Sequence, residues 1–338
     1  MIIKSDFKPA WWLANSHTQT LYSTLMRRIQ SPVDFMERLE LADGDFIDLA
    51  WAINGLAKDT PLIVFLHGLG GSMDSTYAAG LMHEFNRCGW RAVLMHFRGA
   101  SKEPNRLARA YHSGDTADVN YLLHLLAERE PETKKAVVGV SLGGNVLLKW
   151  LGETGEQSII QAAVAVSVPF QLRMVADRIS TGFSRIYQEY LLRRLRRVFE
   201  RKQTYFTQDN MPRELQDMHK WQCFWTFDEN VTAPLHGFKH VHDYYRKSSS
   251  RAYLAKIKTP TLVIHALDDP FMTPKVVPQA EELAPDVILE LSEKGGHVGF
   301  IAGRLPGKPV YWLEQRIPAY LRGVFERDDP LTSLGHSH

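Results

Sequence analysis

A chain of 338 residues with 44% apolar side chains is long enough for one large α/β domain with an insertion, or for two ordinary domains. Its formal charge of +2 is close to neutral and gives no case for nucleic-acid binding. Two cysteines, Cys88 and Cys223, exclude a disulfide framework and lack metal-ligand spacing, so a reducing compartment is expected.

In chain order, the first residues, Met1 to Pro9, lack the basic start and apolar run of a signal peptide. Phe35–Leu41 and Phe46–Trp51, joined across Asp43-Gly44, predict an opening β-hairpin. The pattern then alternates: a strand at Leu62–Leu66, a helix over Thr76–Cys88, a strand at Arg91–Phe97, a helix over Thr116–Glu130, and strands at Ala136–Gly139 and Ala162–Val168. Strands resume at Thr261–Leu267 and end with Val287–Leu291. This order predicts a doubly wound, mostly parallel sheet flanked by helices. The longest apolar stretch, around Ala162 to Phe170, falls far short of the ~20 residues that span a bilayer, and a cytoplasmic location is the expectation.

The decisive motif is Gly139-Val140-Ser141-Leu142-Gly143, a G-x-S-x-G pattern between an apolar strand and the helical run Asn145–Trp150. A serine on so sharp a strand-to-helix turn needs neighbours without side chains, because a Cβ at either flanking position would strike the packed strand or helix. An acid and a histidine should follow in that order. Thr261–Leu267 ends in Asp268-Asp269-Pro270, and Val287–Leu291 ends near Gly295-Gly296-His297. The only later histidines, His336 and His338, sit in a polar tail, so His297 is nearly forced. Asp269 is favoured over Asp268, because the Asp-Pro-x-x-x-Pro turn resembles the acid turn of α/β hydrolases; Asp268 then reads as a turn residue bonding its own backbone.

His67-Gly68-Leu69-Gly70-Gly71 follows another buried strand, and its glycines let main-chain N–H groups face a cavity. The expected oxyanion donors are the N–H groups of Leu142 and Leu69. Ser141 as nucleophile, His297 as base and Asp269 as its orienting acid make an acyl-transfer reading for ester, thioester or amide carbonyls, with no cofactor.

Between the strands at 162–168 and 261–267 no strand run appears, and residues 170–245 read as a helical lid inserted into a core of 1–169 and 246–338. Its aromatic group Trp221, Phe224, Trp225 and Phe227 suits either an acyl pocket or a small lid core. Arg193–Lys202 holds six basic residues in ten, which fits a weak membrane-surface contact, an acidic partner or a solvated helix face. His236, His240, His242 and Asp243 suggest a metal site by composition alone; lid surface or packing is preferred.

Several segments together resemble the YheT-like branch of α/β hydrolases, the AB hydrolase 4 type of esterase related to animal abhydrolase-domain lipases. They are Asn15–Thr20, Asp43–Trp51, His67–Gly71, His96–Gly99, Tyr111–Asp115, Gly139–Asn145, His265–Met272 and Gly295–Phe300. The resemblance spans almost the whole chain and implies an α/β-hydrolase fold, the same three residues Ser141, Asp269 and His297, and carboxylic-ester hydrolysis, without naming a natural substrate. The leading expectation is a serine esterase acting on short- to medium-chain acyl esters as small-molecule substrates, with no obligate protein partner inferred. The H-x₄-D acyltransferase pattern discussed for animal relatives has no match here. Within these segments Arg98 and Asp115 read as a structural ion pair behind the site or as groups that orient substrate, with the structural reading preferred. A thioesterase or acyltransferase with the same three residues, or a hydrolase-fold receptor with weak turnover, are the alternative readings.

Overall fold

The computed structural model describes residues 1–202, 205–206 and 212–327. His336 and His338, set aside above, lie outside them. Among the described residues nine strands form one sheet: β1 (Ile2–Lys4), β2 (Phe35–Glu40), β3 (Phe46–Ala52), β4 (Leu62–Leu66), β5 (Arg91–His96), β6 (Lys135–Val140), β7 (Ala162–Val166), β8 (Thr261–Ala266) and β9 (Val287–Ser292). Their order is β1-β9-β8-β7-β6-β4-β5-β3-β2. The hairpin β2–β3 and the β3–β5 pair are antiparallel, and every other pairing is parallel.

The apolar runs explain the layering. Along β4, Leu62, Val64 and Leu66 enter one core cluster while Ile63 and Phe65 enter the other, so the strand is buried on both faces as a parallel sheet requires. One face is covered by α3 (Ala117–Arg129) and α4 (Leu142–Thr154) through Leu122, Leu126, Val146 and Leu147. The other is covered by α2 (Thr76–Arg87) and by α11 (Leu313–Arg327), through Leu81, Phe85, Ile317 and Leu321.

Three features go beyond the periodicity. The sheet does not end at β9: Ile2–Lys4 adds β1 in parallel register, Ile3 opposite Glu290. Helix α1 (Ser16–Met26) crosses the carboxyl-end side of the sheet near residues 295–301. A small antiparallel pair, β10 (Ile301–Ala302) with β11 (Val310–Tyr311), precedes α11.

Between β7 and β8 the described residues form α5 (Leu172–Ile179), α6 (Ser184–Lys202), α7 (Arg213–Gln216), α8 (Phe224–Phe227), α9 (Ala233–Leu235) and α10 (Val241–Ser248), with a π-turn at Asp228–Thr232. No helix among the described residues is long and apolar enough to cross a membrane.

Candidate active site

Ser141 sits between the last residue of β6 and the first of α4, with φ 53° and ψ −118°. A Cβ on Gly139 would lie 2.5 Å from the Gly143 carbonyl oxygen, and one on Gly143 would lie 2.3 Å from that of Leu66. Both are impossible contacts, so the two motif glycines are a steric requirement of the turn. A left-handed non-glycine residue costs about 1–3 kcal/mol and persists only where its surroundings over-determine it. Here the Ser141 N–H donates to Val166 O at 2.8 Å, and Asn145 N–H donates to Ser141 O at 3.0 Å. The fully buried Asn145 amide then donates to Ser113 O and Ser248 O, both at 2.7 Å, and accepts from Ser250 N–H at 3.0 Å. It ties two loops to the turn.

His297 bridges the other two residues. Its Nδ1 is 2.7 Å from Asp269 Oδ2 and its Nε2 is 3.0 Å from Ser141 Oγ. A carboxylate only accepts, so the proton belongs on Nδ1 and Nε2 is left as an acceptor facing the hydroxyl. The imidazole lies flat on Phe271, centroids 4.0 Å apart, and Asp269 is fixed by Phe271 N–H on Oδ1 at 2.8 Å. Asp268 does not bond its own backbone, contrary to the expectation above. Leaving the strand it points to the histidine loop, where its Oδ1 accepts Gly296 N–H at 2.9 Å.

That loop is strained: Gly296, Val298 and Phe300 all have positive φ, 60°, 62° and 43°. For a β-branched residue such as Val298 this is a real outlier. Three consecutive amides hold it. Besides Gly296 on Asp268, His297 N–H donates to Thr20 Oγ1 at 2.9 Å and Val298 N–H to Ser167 Oγ at 3.1 Å. The Thr20 hydroxyl donates in turn to Ser16 O within α1, which leaves a lone pair for His297. Gln19, wholly buried, donates to Leu13 O and Ile301 O and accepts from Ile301 N–H. Thr20, Gln19, Ser167 and Asn145 were not assigned site roles from sequence. Thr20, Gln19 and Asn145 lie in segments that carried the family resemblance, but nothing local marked Ser167.

The loop after β4 is held just as closely. His67, fully buried, donates from Nδ1 to Gly68 O at 2.7 Å and accepts Phe97 N–H on Nε2 at 3.3 Å. Burial, with His96 nearby, lowers its pKa to about 3, so it is a neutral structural group. Gly68 N–H and Gly70 N–H donate to the hydroxyls of Tyr77 and Tyr111 at 3.0 and 2.9 Å. The intervening Leu69 N–H and the Leu142 N–H have no hydrogen-bond partner among the described residues, and both residues line the cavity that holds Ser141 and His297.

A family model described as the alpha/beta hydrolase fold matches residues 61–303. "Putative esterase YheT" of Escherichia coli (strain K12) is 43% identical over 95% of this chain and 94% of its own length. This chain belongs to the YheT-like branch of the alpha/beta hydrolase family. "Phospholipase ABHD3" of Mus musculus is 25% identical over 98% of this chain and 82% of its own length. In structure the chain is similar to a soluble variant of Saccharomyces cerevisiae monoglyceride lipase, TM-score 0.57 at 15% identity, over 88% of this chain and 98% of that one. It also resembles the Pyrococcus furiosus esterase Pf2001, TM-score 0.54 at 20% identity, over 86% and 90% of the two chains. These two likenesses concern the fold.

In this alpha/beta hydrolase the cavity over Ser141 measures about 670 Å³. Its walls are mainly apolar, with Leu172, Val175 and Ile179 from α5 and Leu191 and Leu195 from α6. Of the four aromatic residues singled out in sequence, only Phe224 lines it. Phe227 packs against Phe199, Trp221 joins the same small core, and Trp225 Nε1–H donates to Asp177 at 2.8 Å. At the α10 side lies Asp228, accepting from Thr232 and Tyr245; burial raises its pKa to about 6.

Four of the six cations in Arg193–Lys202 turn inward to main-chain carbonyls. Arg194 donates to Gly70 O, Arg196 to Trp221 O, Arg201 to Gly99, Ser101 and Lys102 O, and Lys202 to Leu107, Ala108 and Arg109 O. The histidine group is dispersed. His236 bonds Thr232 O and Ala110 O, His240 caps α10 through Asp243 N–H, and His242 packs on Trp225. No group of three or more ligating side chains placed to hold a metal occurs among the described residues. Arg98 does not pair with Asp115. From the end of β5 it reaches the first turn of α3, where Asp118 receives it at 2.7 and 2.8 Å, and the hairpin turn, where Asp43 and Asp45 do. Asp115 pairs with Arg109 at 2.9 Å instead.

Proposed function

We propose that this protein is a serine esterase that cleaves carboxylic esters of short- to medium-chain acids through an acyl-enzyme. The observation that carries the reading is the single imidazole of His297 lying 2.7 Å from Asp269 and 3.0 Å from Ser141. Ser141 Oγ attacks the ester carbonyl as His297 Nε2 takes its proton, and Asp269 orients and stabilises the imidazolium. The tetrahedral oxyanion is held by the N–H groups of Leu69 and Leu142. Collapse breaks the C–O bond to the alcohol, which leaves with the proton from His297. Water then repeats the sequence and frees the acid and Ser141. These side chains complete the chemistry without a cofactor.

Residues 170–245 act in this reading as the lid that shapes the acyl site. An apolar cavity of about 670 Å³ favours an alkyl chain over a sugar or peptide. The names of two relatives, an esterase and a phospholipase, support ester cleavage as the reaction class.

The test is fluorophosphonate labelling of the purified protein and of Ser141→Ala, with p-nitrophenyl esters from acetate to palmitate. Labelling and turnover in the first and neither in the second is the expected result. Unlabelled, folded protein overturns the reading.

A further inference from the structure

Large apolar side chains are rarely left in water in a cluster, and a contiguous exposed patch marks a surface that meets something. Four of the chain's exposed large apolar residues border the same opening. Leu25 on α1 is 71% exposed, Phe183 just ahead of α6 is 52%, Ile186 is 59% and Tyr190 is 45%, and all four line the cavity over Ser141. The two helices are joined there, since His17 of α1 lies against Phe183 at 4.5 Å between ring centroids and bonds Tyr187 Oη at 3.0 Å. The apolar rim is therefore continuous with the apolar interior.

The charge around the rim has one sign for the most part. On α6 the stripe Ile186, Tyr190 continues at helical spacing to Arg193 and Arg197, both exposed. Arg28 follows α1 and Arg185 precedes Ile186, and both are exposed. Arg28, Arg185 and Arg197 have no ion-pair partner among the described residues, while Arg193 has only a loose one, Glu189 at 3.6 Å. The carboxylates there are few: Asp74 and the buried Asp228 line the cavity, and Glu189 and Glu200 stand beside Arg193 and Arg197 on α6. Apolar side chains at an opening, with unpaired arginines beside them, are the composition of a surface that lies on an anionic lipid layer. A second copy of the chain would bring arginines against arginines.

We propose that the cavity mouth, Leu25, Phe183, Ile186 and Tyr190 with Arg28, Arg185, Arg193 and Arg197, docks reversibly on anionic lipid surfaces. The contact extends the esterase reading by giving the source of the substrate, yet its own existence does not depend on Ser141. It also relocates the membrane contact anticipated for Arg193–Lys202, since most of that run bonds inward.

The experiment is co-sedimentation of the full chain, carrying Ser141→Ala to keep the lipid intact. The vesicles are phosphatidylcholine alone or phosphatidylcholine with phosphatidylglycerol. Binding to the anionic vesicles, weakened by raised salt, is expected. The variants Phe183→Ser/Ile186→Ser and Arg193→Ser/Arg197→Ser should each lower the partition coefficient about tenfold or more, with melting temperature showing that they fold. Absence of binding, or equal binding by both folded double variants, overturns the proposal. So does a protein dimer that forms without lipid and is dissolved by Phe183→Ser/Ile186→Ser, because the rim is then a self-association face. Vesicle binding here, together with no ester turnover by the protein that keeps Ser141, retains this contact and removes the esterase reading.

Discussion

Thr20 and His297 are 277 positions apart in sequence and joined by one hydrogen bond, 2.9 Å from the histidine's main-chain N–H to the threonine hydroxyl. The contact anchors the strained loop at the very residue whose ring must face Ser141. Thr20→Val keeps the shape and removes the acceptor. It should lower kcat about tenfold or more, with a smaller change in KM. Thr20→Ser should restore most of the rate. Steady-state kinetics on a soluble ester, beside melting curves, decide it; wild-type kcat in Thr20→Val would show that the loop holds its place unaided.

The two neighbouring aspartates should separate cleanly. Asp269→Asn presents an amide to His297 and disfavours the required tautomer, and a fall in kcat of about 10³–10⁴ is expected. Asp268→Asn keeps an oxygen for Gly296 N–H and should cost less than about tenfold. A pair of rate measurements with the reverse ranking would exchange their roles.

The elbow can be tested without touching chemistry. Gly143→Ala drives a Cβ to 2.3 Å from the Leu66 carbonyl. Loss of about 3 kcal/mol or more, or failure to fold, is expected. Gly323→Ala, in α11 with nothing near its added carbon, should instead stabilise by about 0.5–1 kcal/mol. Chemical denaturation of both variants reads the contrast.

Chain-length preference should follow the cavity wall. Ile179→Trp adds bulk to the α5 side, and is expected to raise KM for octanoyl and longer esters while leaving acetate turnover near that of the parent. An unaltered profile along the p-nitrophenyl series would mean that acyl chains lie elsewhere.

Acid stability follows from buried neutral histidines. Burial lowers the His67 pKa to about 3 and that of His265 to about 4, from 6.5. Between those values and 6.5 the unfolded chain binds more protons, so stability should fall as pH drops through this window. Asp228, raised to about 6 by burial, acts oppositely above its ordinary 3.8, as do Asp118, Asp268 and Glu314, which burial also raises; against these four stand six histidines that burial lowers, His17, His67, His96, His112, His236 and His265. Melting temperature recorded from pH 7 to pH 4 should decline by several degrees. A flat profile would show that these rings are not held neutral.

Much of this was legible in the sequence because the signals were local. The β6 run, the glycines at 139 and 143 and the helix after them announce one turn, and β4, β5, β6 and β7 are short apolar runs separated by periodic helices. Ser141, Asp269 and His297 could be named because each follows a readable strand. What escaped depends on contacts distant in sequence. Ile2–Lys4 is too short to register as a strand until β9 supplies its partner. α11 carries Pro318 inside it, which argues against a helix from sequence alone. Arg98 was matched to Asp115, whereas its carboxylate partners lie in the hairpin turn and at Asp118. The basic run of α6 looked like a solvated or membrane-facing surface because no one-dimensional pattern distinguishes an arginine in water from one that caps a carbonyl.

Those carbonyls give α6 a consequence for traffic. To swing away as a rigid flap, the helix would strip Gly70, Gly99, Ser101, Lys102, Leu107, Ala108 and Arg109 of cationic donors in one motion. It would also release the loop that carries Leu69. The opening at the Leu25–Ile186 rim is therefore a standing doorway to the cavity, one that needs no departure of α6.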